Sequence, residues 1–262
     1  MTFIKHELKM NLRFLLIWSM AVGGMIFCYM LIYPMMEESM NEIGDAFSQM
    51  GAFSEAFGLG QISMKTAMGF FGVEIGATLS IGGSIYAAMV GTGMLAKEEG
   101  EHTTEFLFVM PNTRTYYITA KLAAMVILIT VFDFICMLFG ILGFACIGEE
   151  LIWKQYLLFF LAQYLMHLNI AGIGFGISAF LRKNNIGIGI GVAIILYFVN
   201  LFANITEKVE GFHFITPFSY ADSAEIFSTE KLQTEYLISG MIIMVAAVMA
   251  AYMKYSRKDL NI

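Results

Sequence analysis

Long apolar runs, rather than alternation, set the pattern of this chain. Six stand out, at about 14–33, 70–95, 122–147, 156–181, 186–203 and 237–253. A helix needs about 20 mostly apolar residues to cross the hydrocarbon core of a bilayer. In lipid the backbone polar groups must be satisfied internally, so continuous runs of this length read as helices. The pattern predicts an all-α fold, a polytopic membrane protein with six transmembrane helices.

The segments between the runs carry their own periodicity. Before the first span, Ile4, Leu8 and Leu12 form one ridge and Lys5, Lys9 and Arg13 the neighbouring one. That spacing predicts an amphipathic interfacial helix over 1–13, its basic side chains reaching lipid headgroups. The apolar run that follows continues to Tyr33, too long for a signal peptide, and shows no A-x-A cleavage site. Phe27 before Cys28 is too bulky for lipoprotein-type cleavage, so the first span is expected to be an uncleaved anchor. Between the first two spans, Met36, Met40, Ile43, Phe47 and Met50 recur at helical spacing and predict an amphipathic helix. Between the last two spans, Ser219 to Asp222 resembles a capping box just after Pro217. Amphipathic or re-entrant helices are thus expected in both outer loops. No repeat or low-complexity linker divides the chain, so residues 1–262 read as a single membrane domain.

Composition agrees. Hydrophobic residues make up 58% and charged residues only 14%, against roughly a quarter charged in soluble domains. Nothing basic enough for nucleic acid is present. Of the 15 Lys and Arg, eleven fall with the N-terminus, the even-numbered loops and the C-terminus, and only Lys65, Lys154, Lys208 and Lys231 fall on the other side. The positive-inside bias therefore puts both termini in the cytoplasm of a multi-pass plasma-membrane protein, expected to be prokaryotic. Glu37, Glu38, Glu149, Glu150 and most other acids lie outside.

One acidic stretch breaks that trend. The loop joining spans two and three carries Glu98, Glu99, Glu101 and Glu105 on the side where basic residues otherwise gather. Charge of that sign gains nothing from anionic lipid, so a protein partner accounts for it better. Thr103 to Val109 is predicted to form a short helix, stopped by Pro111. The residues Glu98 or Glu99, Thr103-Thr104, Glu105-Phe106-Leu107, Pro111-Asn112-Thr113-Arg114 and Lys121 resemble the loop of type-two ATP-binding-cassette permeases. Thr103 stands where that pattern has glycine. The layout is similar too: an amphipathic N-terminal helix, six spans, a long first outer loop, and Pro217 to Tyr220 before the last span. The resemblance implies the transmembrane subunit of an exporter. It would pair with a second permease copy or paralogue and couple to two cytoplasmic ATPase subunits holding ATP and Mg. Glu98, Glu99, Glu101, Thr104 and Glu105 would dock the ATPase, with Pro111 ending the docking helix and Arg114 anchoring the loop. Amphipathic compounds such as peptides, antibiotics or lipids are the expected cargo.

The chain itself has no G-x-x-x-x-G-K-[ST] segment, so ATP hydrolysis is expected on a partner and no cofactor in this chain. Gly72/Gly76, Gly172/Gly176 and Gly187/Gly191 are spaced for close helix packing. Glu149-Glu150 followed by Lys154 resembles the CAAX-protease motif only in part, with Lys in place of Arg. The methionines read as packing rather than copper ligands. Ionisable residues inside spans are functional candidates by default; here they are Glu74, Asp133 and His167. Asp133 and His167 are equally far from the hairpin tip near Glu150, which predicts a hydrogen-bonded pair at one depth. Such a pair could clasp two helices or line a path. An ion-coupled secondary transporter using Asp133, His167 and Glu74 is the competing reading, and a non-transporting sensor with the same docking loop is a third.

Overall fold

A computed structural model describes residues 2–48, 66–100, 113–183, 185–205 and 207–257. Among them every regular element is helical. Helix α1 is Thr2–Ser48; a short α2, Ala67–Phe70, passes through a π-helical turn, Phe71–Ile75, into α3, Gly76–Gly100. Then come α4, Arg114–Ile147, α5, Trp153–Ser178, and α6, Ile186–Ile205. Two 3-10 turns, Glu207–Phe214 and Ser219–Ala221, lead to the short α7, Ser223–Thr229, and to α8, Thr234–Arg257. Among the described residues six stretches are long and apolar enough to cross a membrane: Phe3–Met36, Ala67–Lys97, Arg114–Ile147, Trp153–Ser178, Ile186–Ile205 and Thr234–Tyr255.

Each overlaps one of the six sequence runs, and most extend beyond it. Residues 2–13 are helical but continue unbroken into the first span and past Pro34 to Ser48. At 47 residues this helix is about 70 Å long, far more than the roughly 30 Å hydrocarbon core. It must therefore project from the membrane or lie strongly tilted. The second amphipathic stretch is helical as far as Ser48; Met50 and the rest of that loop lie outside the described residues.

Glycine decides which helices meet. The bundle is built from two close pairs, α1 with α4 and α3 with α5. A side chain on Gly91 of α3 would collide with the Ala171 backbone of α5, and one on Gly174 would press on Ala88 and Thr92. Gly23 of α1 takes the Phe139 ring, and Gly143 of α4 takes Met30. Without a hydrophobic drive between helices in lipid, such backbone approach supplies the dispersion contact that holds them. Gly172 and Gly176 pack α8 onto α5 through Met244 and Ala247. On α6 the contact glycine is Gly189, against Met89 and Thr92, whereas Gly191 faces open space; the Gly187/Gly191 pair is not a packing face here. Helices α3 and α5 are the most buried spans and α6 and α8 the least.

The chain between α6 and α8 turns back into the bundle at the end opposite both termini. Phe218, Tyr220 and Ala221 are buried. Asn169 donates to the Tyr220 hydroxyl at 3.0 Å, and Gln163 donates to the Ala221 carbonyl at 3.0 Å while accepting from Ser80. The helix here starts later than the capping box suggests: Asp222 caps α7 by accepting from the Ala224 amide at 2.8 Å. Ser219 is drawn away instead, donating to Asn200 at 2.9 Å and touching His213. Tertiary partners have outbid the local cap.

Candidate functional site

The loop singled out by its acids joins α3 to α4. Helix α3 runs straight through Lys97, Glu98 and Glu99 to Gly100, and α4 begins at Arg114. Thr113 starts it, its hydroxyl accepting from the Tyr116 amide. Glu101, Thr104, Glu105 and Pro111 lie outside the described residues. Arg114 is exposed at the first position of α4.

Around this helix start the structure assembles a knot that sequence reading had not singled out. Lys121 is 1% exposed; its Nζ lies 2.9 Å from the Glu7 carboxylate of α1 and 5.1 Å from the centre of the Tyr117 ring. Phe3 sets its edge on Tyr116 and Tyr117, and Tyr117 stacks on Tyr255 near the end of α8. The hydroxyls of Thr119 and Tyr252 meet at 2.8 Å. The starts of α1 and α4 and the end of α8 are thus joined directly beside the loop. The available signal was Glu7 itself, one acid in an otherwise basic amphipathic stretch, which needs a cationic neighbour if it is buried.

On the other flank, α3 and the π-helical turn before it present a half-buried stripe: Glu74, Thr78, Ile81, Ile85, Met89 and Lys97. Its two ends carry ionisable groups and its middle is mostly apolar. Glu74 sits within the π-helical turn and makes no hydrogen bond or ion pair with any described residue; turns of this kind frequently mark functional positions. At the other end a cleft of about 220 Å³ opens between α1, α3 and α6, with Glu7, Asn11 and Lys97 set among apolar side chains.

Mid-bundle, His167 Nδ1 lies 2.8 Å from Asp133 Oδ1, both residues buried. His167 also fills the space above Gly83, and Phe132 beside Asp133 stacks on Tyr86 of α3 at 4.5 Å. This is where α4 meets α3 and α5. Asp133 Oδ2, His167 Nε2 and the Tyr86 hydroxyl have no protein partner, so the contact is only half satisfied by the chain. Glu74 is not part of it: along α3 it stands roughly 14 Å from Gly83. Combining Asp133→Ala with His167→Ala is expected to show a coupling energy of about 1 kcal/mol, the scale of interhelical polar contacts in membranes. Unfolding of the two single variants and the double variant in bicelles measures it, and simple additivity would sink the clasp.

At the opposite end, Lys154 pairs with Glu230 on the exposed rim. The Lys154 hydrogen bond, with its charge, holds the Glu230 carboxyl below the usual carboxylate range. Lys154 is thus engaged in a surface contact rather than in a Glu-Glu-x-x-x-Lys site. Among the described residues no three His, Cys, Asp or Glu side chains gather as a metal site requires.

A family model described as ABC-2 family transporter protein matches residues 1–260. No curated protein and no solved structure matches.

Proposed function

The chain belongs to the ABC-2 family of transporter proteins and is a membrane-spanning permease subunit of an ABC transporter; from this premise we propose that it exports an amphipathic compound, driven by separate ATPase subunits that dock on the segment between α3 and α4. The observation that carries the reading is the way this segment is held. One flank, α3, is locked to α5 through Gly91 and Gly174; the other, α4, is locked to α1 through Gly23, Gly143 and the Glu7–Lys121 pair. A force applied to the segment is applied to both helical pairs at once. The pairs meet across the Asp133–His167 contact and the Phe132–Tyr86 stack, so their relative tilt is the motion available to alternate access.

The half-buried stripe on α3 supports the nature of the cargo. A molecule passing along Thr78, Ile81, Ile85 and Met89 meets mostly apolar surface, with the Lys97 ammonium at one end and the Glu74 carboxyl at the other. That sequence of surfaces suits a compound with an apolar body and a polar head. The pairing of two permeases, the cytoplasmic placement of both termini and the plasma membrane as location belong to the same proposal. They rest on the charge bias and on the family.

Reversing charge in the docking segment tests it. Glu99→Lys and Glu105→Lys are expected to weaken retention of the ATPase subunit roughly tenfold, as loss of an interfacial charge pair does. Substrate stimulation of ATP hydrolysis should fall with it. Co-purification from mild detergent and ATPase assays in liposomes are the measurements. Normal insertion with unchanged retention and stimulation would remove the docking role, and transport without any ATPase subunit would favour the ion-coupled reading.

A further inference from the structure

We infer that the cleft between α1, α3 and α6 is a binding site for one anionic phospholipid. The argument begins with charge. Among the described residues three ionic groups stand at this end of the cleft: Glu7, Lys121 behind it, and Lys97. Glu7 and Lys121 neutralise each other at 2.9 Å. Among the described residues Lys97 makes no ion pair, and it is the cation that lines the cleft. Asn11 adds a donor: one of its amide hydrogens goes to the Glu7 carbonyl at 2.9 Å, and an amide carries two. An ammonium with an amide N–H beside it matches one phosphodiester.

The rest of the lining is apolar. Phe14 of α1, Met89 and Met94 of α3 and Ile186 of α6 form the walls. Met10 and Ile186 are about half exposed at the rim, where the bundle faces acyl chains. A volume of about 220 Å³ takes a headgroup and the first methylenes. From there the acyl chains leave over the half-exposed rim at Met10 and Ile186. A soluble anion would satisfy Lys97 and leave the methionine and phenylalanine walls uncovered; a lipid covers both.

The inference requires only that the chain spans a membrane, so its outcome is separate from that of the coupling segment. The test is native mass spectrometry of the full-length permease with phosphatidylglycerol, phosphatidylcholine and inorganic phosphate. Wild type is expected to retain one phosphatidylglycerol beyond the phosphatidylcholine background. Lys97→Gln should lower that preference roughly fivefold, the worth of one basic residue near an anionic headgroup. Met94→Trp, which fills the cleft and leaves every charge in place, should lower retention of the lipid as well. Inorganic phosphate should not compete. An undiminished preference in Lys97→Gln, undiminished retention in Met94→Trp, or displacement of the lipid by phosphate would each overturn the proposal.

Discussion

Replacing Gly91 by leucine is expected to abolish recovery of folded protein. A Cβ at this position would lie 2.2 Å from the Ala171 carbonyl oxygen and 3.0 Å from that residue's Cα and carbonyl carbon. These are backbone atoms of the neighbouring span and cannot swing aside as a side chain would. The two helices must separate, and separation also releases Gly174 from Ala88 and Thr92. Overpacking a well-filled contact costs about 1–3 kcal/mol when side chains can adjust; here adjustment means moving a whole helix, so the upper end or beyond is expected. Gly24→Ala and Gly191→Ala are the controls. Nothing lies within 4 Å of a Cβ at either site, and alanine is favoured over glycine in helices by about 1 kcal/mol. Size-exclusion profiles and unfolding in detergent separate the cases. A Gly91→Leu protein as stable as the controls would mean that α3 and α5 do not meet there.

That contrast shows what the sequence alone could and could not convey. Hydropathy made the six spans legible because lipid forces each to satisfy its own backbone. Equal distance from the hairpin tip made the Asp133–His167 contact legible, because antiparallel neighbours joined by a tight turn keep their register. Glycine spacing was a weaker guide. Gly172 and Gly176 do pack α8, but Gly191 lies open while Gly189, out of the i, i+4 pattern, takes the contact. Which face of α6 meets α3 is fixed by the whole bundle, not by the local repeat. Ser219 misled in the same way: its spacing to Asp222 has the form of a cap, but Asn200 and His213 claim its hydroxyl. Glu7 was the largest omission. Read locally it is one acid on a basic interfacial helix, and only the fold brings it to Lys121, which lies more than a hundred residues away.

Removing either member of that ion pair is expected to destabilise the protein strongly, and unequally. Lys121 is 1% exposed and Glu7 9%. Glu7→Leu therefore takes the carboxylate away from an ammonium that has almost no access to water. Lys121→Met strands a carboxylate that lines an open cleft and can be hydrated from it. Breaking a buried pair costs roughly 3–5 kcal/mol; Glu7→Leu should reach that range and Lys121→Met should fall below it. Replacing a buried pair by apolar residues of similar volume is frequently neutral or stabilising, so Glu7→Leu combined with Lys121→Met should recover most of the loss. The double variant also separates adhesion from signalling. Phe3 against Tyr116 and Tyr117, and the glycine contacts of Gly23 and Gly143, still bind α1 to α4 in it. If the ion pair serves only to keep those helices together, ATPase stimulation should survive in the double variant while each single variant loses it along with stability. Chemical unfolding of all four proteins, beside ATPase assays of the assembled transporter, reads both quantities. A double variant no more stable than Glu7→Leu would show that the two charges do not face each other across α1 and α4.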